Sequence, residues 1–227
     1  LRFGTGHLIT TPNPEMLVDA EYDWFFKEAL NKAEIAVADG FGLTLAARYL
    51  YGERLTRWAG TDLMEKICEI AAGQGKSVYL VGGEEGIAER AAEKLQKKYH
   101  GLKVVGAEKG IIFRCHPESL PDRQAGSEGS LKTKVFKDSS AVPRNDTIPA
   151  IQNDNGKYLV CQGFDVSEGK KLLERIRAAA PDILFVAFGH GKQEKWLAEF
   201  LPQLPSVRIG MGVGGAFDYI SGKVSRA

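Results

Sequence analysis

Short apolar runs rich in β-branched residues recur along the chain, and most are followed by a stretch whose apolar positions return every three or four residues. The first kind predicts strands at about His7–Thr11, Ile35–Ala38, Ser77–Val81, Leu102–Val105, Asp182–Phe188 and Val207–Met211. The second predicts helices. One runs from Asn13 to Lys32, entered through Asn13 as cap, Pro14 at the first helical position and Glu15 in the first turn. Another follows Gly42. Residues 61–73 carry Leu63, Ile67, Ile70 and Ala71 on one stripe, and 86–99 turn Ile87, Ala91 and Leu95 inward with Glu89, Arg90, Glu93, Lys94 and Lys97 toward water. Two more cover 167–179 and 192–201. Strands alternating with helices in this way build an α/β domain around a mainly parallel sheet flanked by helices.

The alternation lapses from about Phe113 to Gln162, where Ser, Pro, Asp, Asn and Gly gather in runs such as Gly126-Ser127-Glu128-Gly129-Ser130 and Val142-Pro143-Arg144-Asn145-Asp146. Ordinary connections run ~4–6 residues, and a segment this polar has too little apolar surface to offset the entropy of ordering itself. The stretch is therefore expected to be a poorly ordered insertion in a single domain spanning 1–227. Cys115-His116 lacks a second Cys/His pair at a zinc-like spacing, so a solvated loop is the better reading.

Composition narrows the classes. With 44% hydrophobic and 26% charged residues the chain is neither disordered nor collagen-like nor disulfide-dense. Its 30 Lys plus Arg against 29 Asp plus Glu leave a charge of +1, which supplies no overall field for nucleic acid, and no nucleic-acid partner is expected. Cys68, Cys115 and Cys161 are odd in number and lack CxxC spacing, as in a reducing, cytoplasmic compartment. The longest apolar run, Ile183 to Phe188, falls far short of the ~20 residues of a membrane span. Leu1 opens without the basic and apolar regions of a signal peptide, and the start reads as a truncation.

Ligands of open parallel sheets sit beyond the carboxyl ends of the strands. Those ends here read Thr10-Thr11-Pro12-Asn13, Asp39-Gly40-Phe41-Gly42, Gly82-Gly83-Glu84-Glu85-Gly86, Gly189-His190-Gly191-Lys192-Gln193-Glu194 and Gly210-Met211-Gly212-Val213-Gly214-Gly215, with Asp218 beyond. Turns use the same residues, but five polar strand ends on one edge point to a cleft. Asp39, directly after Ile35-Ala36-Val37-Ala38, is placed either to accept a proton from a bound hydroxyl or to cap the helix after Gly42. Arg57 has the planar fork that suits a diphosphate, and Gln193 opens a helix after a Gly-rich turn. Arg48, Lys192 and Lys195 read as surface residues, and His190 is as readily a turn residue as a catalytic one. Trp24, Phe25 and Phe26 read as core or interface, which leaves a homo-oligomer open.

Thr11-Pro12-Asn13-Pro14-Glu15, Ala38-Asp39-Gly40-Phe41-Gly42-Leu43, Arg57 with Gly60-Thr61-Asp62-Leu63, Lys192-Gln193-Glu194-Lys195-Trp196 and Gly212-Val213-Gly214-Gly215-Ala216-Phe217-Asp218 together resemble the WecG/TagA/CpsF family of bacterial glycosyltransferases, in order and spacing along nearly the whole chain. The resemblance implies a Rossmann-like fold and an inverting transfer of N-acetylmannosamine, or a related sugar, from a UDP-sugar to undecaprenyl-diphosphate-linked N-acetylglucosamine. It implies Asp39 as general base, Thr11 and Asn13 on substrate, Arg57 on the diphosphate and Gln193 on sugar or acceptor hydroxyls. It also places Gly212, Gly214 and Gly215 where backbone approaches the nucleotide, with Asp218 beside them. No cofactor and no metal are implied. The family further implies a cytoplasmic enzyme held peripherally at the inner face of the membrane by a C-terminal Arg-rich segment beyond Ala227, and a strand and helix before Leu1. Gly191 stands where a proline is common in the family.

Three rivals remain at this level: a nucleotide-sugar-binding or regulatory domain without transfer, a nicotinamide-dependent oxidoreductase, and a scaffold. The oxidoreductase lacks a GxGxxG after the first strand with an acid ~20 residues on, and a scaffold leaves the polar strand ends unexplained.

Overall fold

The computed structural model describes residues 6–111, 150–152, 158–160 and 166–225. The first half runs β1 (His7–Thr10), α1 (Pro14–Tyr22), α2 (Trp24–Asn31), β2 (Ile35–Ala36), α3 (Phe41–Tyr51), α4 (Gly60–Gly73), β3 (Ser77–Gly82), α5 (Ile87–Lys98) and β4 (Lys103–Glu108). The short strands β5 (Ala150–Gln152) and β6 (Tyr158–Val160) follow, then α6 (Val166–Ala179), β7 (Ile183–Ala187), α7 (Lys192–Phe200), β8 (Ile209–Gly212) and α8 (Ala216–Ser221).

The chain divides into two compact units, one of residues 1–111 with 167–227 and one of 112–166. The second contains the antiparallel pair β5–β6, with Ala150 opposite Val160, two strands that the sequence pattern does not predict. The expectation of a poorly ordered insertion, and the Cys115-His116 pair with it, otherwise lie outside the described residues.

In the larger unit six strands form one parallel sheet in the order β2-β1-β8-β7-β3-β4, the expected Rossmann-like α/β arrangement. All six predicted strands are present. Alternation across the sheet sends Val78, Leu80, Phe185 and Met211 to one face, where they pack with Met64, Cys68 and Ala71 of α4, Ile87, Ala91 and Leu95 of α5, and Phe217 of α8. On the other face α7 lies beside α2 and crosses β1, β7 and β8. Adjacent strands β1 and β8 thus hand the chain to opposite faces, which opens a crevice at their carboxyl ends.

Three details differ from the sequence pattern. The single helix expected over 13–32 is broken at Asp23, whose Oδ1 accepts from the N–H of Phe26 (2.9 Å) and caps α2. On α4 the buried stripe is Met64, Cys68 and Ala71, with Leu63 and Ile67 only partly covered and Ile70 48% exposed. Two overlapping apolar stripes exist on that helix, and contact with the sheet selects between them. Burial also pushes the Cys68 thiol up to about 12, with Glu65 adding to it, so this cysteine is an inert core residue. Finally, β2 is only two residues long, although its pairing with β1 continues through the N–H of Val37 to Thr10 O and of Asp39 to Pro12 O (both 2.9 Å). Helix α3 buries none of its residues and leaves Phe41, Leu45, Tyr49 and Leu50 exposed.

Candidate active site

The extended pairing of residues 37–39 with 10–12 carries Asp39 to the sheet edge beside Thr11. Its Oδ2 accepts from the N–H of Gly60 (3.2 Å), the first residue of α4. That helix has no side-chain cap of its own at Ala59, so Asp39 supplies one from a distant segment. The helix expected after Gly42 receives no such bond, since α3, entered through Gly40, has no side-chain cap. A Cβ at Gly60 would lie 3.2 Å from Thr11 Oγ1 and 3.7 Å from Asp39 Oδ2. Thr11, Asp39 and the amino end of α4 therefore converge at one point, with Thr11 and Asp39 both partly exposed.

The segment leading into α4 is held there by Trp58 N–H donating to Ala38 O (3.1 Å). It forms an open pocket of ≈ 490 Å³ lined by Thr56, Arg57, Trp58, Ala59 and Asp62. Arg57 is exposed and belongs to the same corner as Asp39. Asn13 is nearby in sequence, but its Oδ1 is engaged as the cap of α1, accepting from Met16 N–H (2.8 Å).

A second group gathers at the ends of β7 and β8. Gln193 is only 5% exposed. Its Oε1 accepts from Gly214 N–H (2.9 Å) and its Nε2 donates to Glu194 Oε1 (2.8 Å). A Cβ at Gly212 would stand 2.8 Å from that Nε2, so Gly212 is glycine because the Gln193 carboxamide lies against its backbone. The close approach read from the sequence as room for a nucleotide is, at Gly212, filled by this side chain. Glu194 is 2% exposed, and its Oε2 accepts from Gly191 N–H (2.8 Å). Burial pushes its carboxyl above the ordinary carboxylate value, opposed by these hydrogen bonds and by His190.

Other charged groups fasten the loops. Lys195 is not a free surface lysine: its Nζ donates to Asp23 Oδ2 (2.7 Å) and ties α7 to the start of α2. His190 Nε2 lies 2.9 Å from Asp19 Oδ2. Asp218, on α8, faces Lys223 (3.5 Å), whose Nζ also reaches Glu84 after β3 (2.9 Å). Neither Glu194 nor the Gly60 N–H is singled out as functional by the sequence pattern above. An acid at the third position of a helix that follows a Gly turn is a readable capping signal, whereas the Asp39–Gly60 contact joins positions 21 residues apart and has no local signature. Among the described residues no three His, Cys, Asp or Glu converge to hold a metal ion, and no helix is long and apolar enough to cross a membrane.

A family model described as glycosyl transferase WecG/TagA/CpsF matches residues 1–124 and 153–227. The chain belongs to that family. Its WecG/TagA/CpsF match skips 125–152, within the polar stretch noted above. Two relatives named N-acetylglucosaminyldiphosphoundecaprenol N-acetyl-beta-D-mannosaminyltransferase are similar along the chain. The one from Bacillus subtilis (strain 168) is 23% identical over 222 residues, 98% of this chain. The one from Bacillus spizizenii (strain ATCC 23059 / NRRL B-14472 / W23) is 21% identical over the same length. The chain spans 65% of the length of each. Both convergent groups, Thr11 with Asp39 and Gly60, and Gln193 with Glu194 and Gly214, lie on segments that the WecG/TagA/CpsF match covers.

Proposed function

We propose that this chain is the catalytic core of an inverting glycosyltransferase that moves N-acetylmannosamine, or a closely related sugar, from a UDP-sugar to undecaprenyl-diphosphate-linked N-acetylglucosamine. The observation that carries the reading is the placement of the Asp39 carboxylate at the carboxyl edge of the sheet, beside Thr11 and next to a pocket containing Arg57. The names of the two relatives supply the transferred sugar and the acceptor, and the UDP-sugar donor follows from the family resemblance.

In this mechanism the acceptor hydroxyl oxygen attacks the anomeric carbon of the donor from the face opposite the leaving group. The new glycosidic bond forms as the bond from that carbon to the diphosphate breaks, and UDP leaves with the bonding electrons. Asp39 takes the hydroxyl proton as the attack proceeds, a contribution of about 10²–10⁴ in rate for a positioned base. Arg57 meets the negative charge developing on the diphosphate, for which its planar fork is suited. Thr11 and the Nδ2 of Asn13 hydrogen-bond the sugar. Gln193, Gly214 and Gly215 shape the loop that borders the nucleotide, with Asp218 behind it.

An acceptor of this class is a lipid, so peripheral attachment at the inner membrane surface is part of the proposal. The apolar residues that α3 leaves exposed, Phe41, Leu45, Tyr49 and Leu50, support it. The polar stretch of about 113–162 is read as an excursion from one catalytic domain, in keeping with the break in the family match. The test is UDP release from UDP-N-acetylmannosamine, measured with and without a lipid-linked N-acetylglucosamine analogue. Acceptor-dependent release is expected. Binding of the donor without release would overturn transfer in favour of a nucleotide-sugar-binding domain.

A further inference from the structure

Glu194 is a buried acid whose two oxygens point in different directions, each toward a donor. Oε2 accepts from the N–H of Gly191 at the start of α7, and Oε1 accepts from Nε2 of Gln193 (both 2.8 Å). The other end of that carboxamide, Oε1, accepts from Gly214 N–H (2.9 Å) in the loop after β8. A primary amide can satisfy these neighbours in only one orientation, because its nitrogen only donates and its oxygen only accepts. With an acceptor-only group on one side and a backbone N–H on the other, the nitrogen must face Glu194 and the oxygen Gly214.

We propose that Glu194 is a positioning residue: it fixes the orientation of the Gln193 carboxamide and, through it, holds the Gly212–Gly215 loop in register with the amino end of α7. The consequence for catalysis rests on the transfer reading above, whereas the positioning itself does not. Three observations support it beyond a helix-capping role. Gln193 and Glu194 are 5% and 2% exposed, so water has little access to replace a lost partner. The carboxamide lies against Gly212, where a Cβ would stand 2.8 Å from Nε2, 2.9 Å from Cγ and 3.0 Å from Cδ, so it is confined beside that backbone and chooses only which of its two ends faces Glu194. And a cap needs one oxygen, while Glu194 uses two.

This last point separates the two roles experimentally. In Glu194→Gln the amide oxygen can still accept from Gly191 N–H, as glutamine does in capping boxes. Its nitrogen then faces the nitrogen of Gln193, two donors together. The Gln193 carboxamide must turn over, which sets its own nitrogen against the Gly214 N–H. The exchanged pair, Gln193→Glu with Glu194→Gln, repairs this. The amide now at position 194 accepts from Gly191 N–H and donates to the carboxylate now at position 193, whose other oxygen accepts from Gly214 N–H.

Amide hydrogen exchange of Gly214 and Gly191, read by NMR on the 227-residue chain, tests the proposal. In Glu194→Gln the Gly214 amide is expected to exchange at least about tenfold faster than in the parent with Gly191 little changed, and the exchanged pair is expected to restore Gly214. Parent-like Gly214 exchange in Glu194→Gln would reduce Glu194 to a cap and overturn the proposal, as would an exchanged pair that fails to restore protection. Should Glu194→Gln not fold, the exchanged pair decides alone: folding with parent-like Gly214 protection is expected, and failure to fold counts against the network. In the transfer assay, Glu194→Gln is expected to lose about 10- to 100-fold in kcat/KM through misplacement of the loop. A parent chain without transfer would sink the transfer reading and leave the exchange result to judge Glu194 on its own.

Discussion

The Oδ2 of Asp39 accepts a hydrogen bond from the backbone N–H of Gly60, 21 residues farther along the chain, at 3.2 Å. One carboxylate thus closes the exposed amino end of α4 at the carboxyl edge of the sheet, the position from which the proposed transfer would use it as base. The helix terminus orients it, since free N–H groups and the helix dipole both attract an anion.

Two substitutions of Asp39 separate those roles. Asp39→Asn keeps an acceptor for Gly60 N–H and loses the base, so transfer is expected to fall by about 10²–10⁴ with the urea midpoint near that of the parent. Asp39→Ala loses both, adding a stability cost of about 0.5–2 kcal/mol. UDP release and urea unfolding measure the pair. Turnover of either variant within tenfold of the parent would remove Asp39 as the base.

Gly60→Ala is expected to lower activity without lowering stability. Alanine is a better helix former than glycine by about 1 kcal/mol, while its Cβ would press on Thr11 Oγ1 at 3.2 Å and approach Asp39 Oδ2 at 3.7 Å. Thermal unfolding should show no loss of stability, with transfer reduced at least about tenfold. Unaltered turnover would mean that the spacing of these three groups does not matter.

At Gly82 the expected cost is to the fold. The residue has φ +127°, and a Cβ there would stand 2.3 Å from Ala187 O, across the β3–β7 pairing. Gly82→Ala should cost about 3 kcal/mol or more, from backbone strain together with a forced separation of two central strands. A urea midpoint within experimental error of the parent would contradict the close approach.

At the opposite edge of the sheet, Asp182 Oδ2 accepts from Ser77 N–H and Ser77 Oγ (both 3.0 Å), and Oδ1 pairs with Lys76 (3.3 Å). The Ser77 backbone bond, ahead of the Ser77 hydroxyl and Lys76, holds its carboxyl below the ordinary value. A depressed acid contributes stability that is complete above its unfolded pKa of 3.8 and fades as pH falls through the lower folded value. Asp182→Ala should therefore destabilise by about 1–3 kcal/mol at pH 7. The difference from the parent should shrink only below about pH 4. Unfolding free energies measured between pH 2 and pH 8 check this, and a gap that stays constant to the lowest pH would exclude the ionised form as the source.

Much of the candidate site could be read from the chain because its residues cluster at strand ends. Thr11, Asp39, Gln193 and Gly212 each follow an apolar run and each falls at the carboxyl edge of the sheet. Their partners could not be read in the same way. Asp39 could be read as a base or as a cap for the next helix, and its carboxylate instead caps α4, because folding brings Gly60, 21 residues on, against it. Gln193 presented itself as a ligand-facing residue at a helix start, whereas its carboxamide is engaged by Gly214 and Glu194. Lys195 looked solvent-exposed until folding brought Asp23, 172 residues distant, to within 2.7 Å.

The sequence by itself determined the alternation of strands and helices, the parallel sheet and the polar edge, because periodicity and caps act over a few residues and are written locally. Tertiary structure decided which of two stripes on α4 turns inward, where the helix over 13–32 breaks, and which polar groups meet one another. Each of those outcomes depends on groups far apart in the chain competing for the same buried space and the same hydrogen-bond partners, and only the folded packing settles that competition.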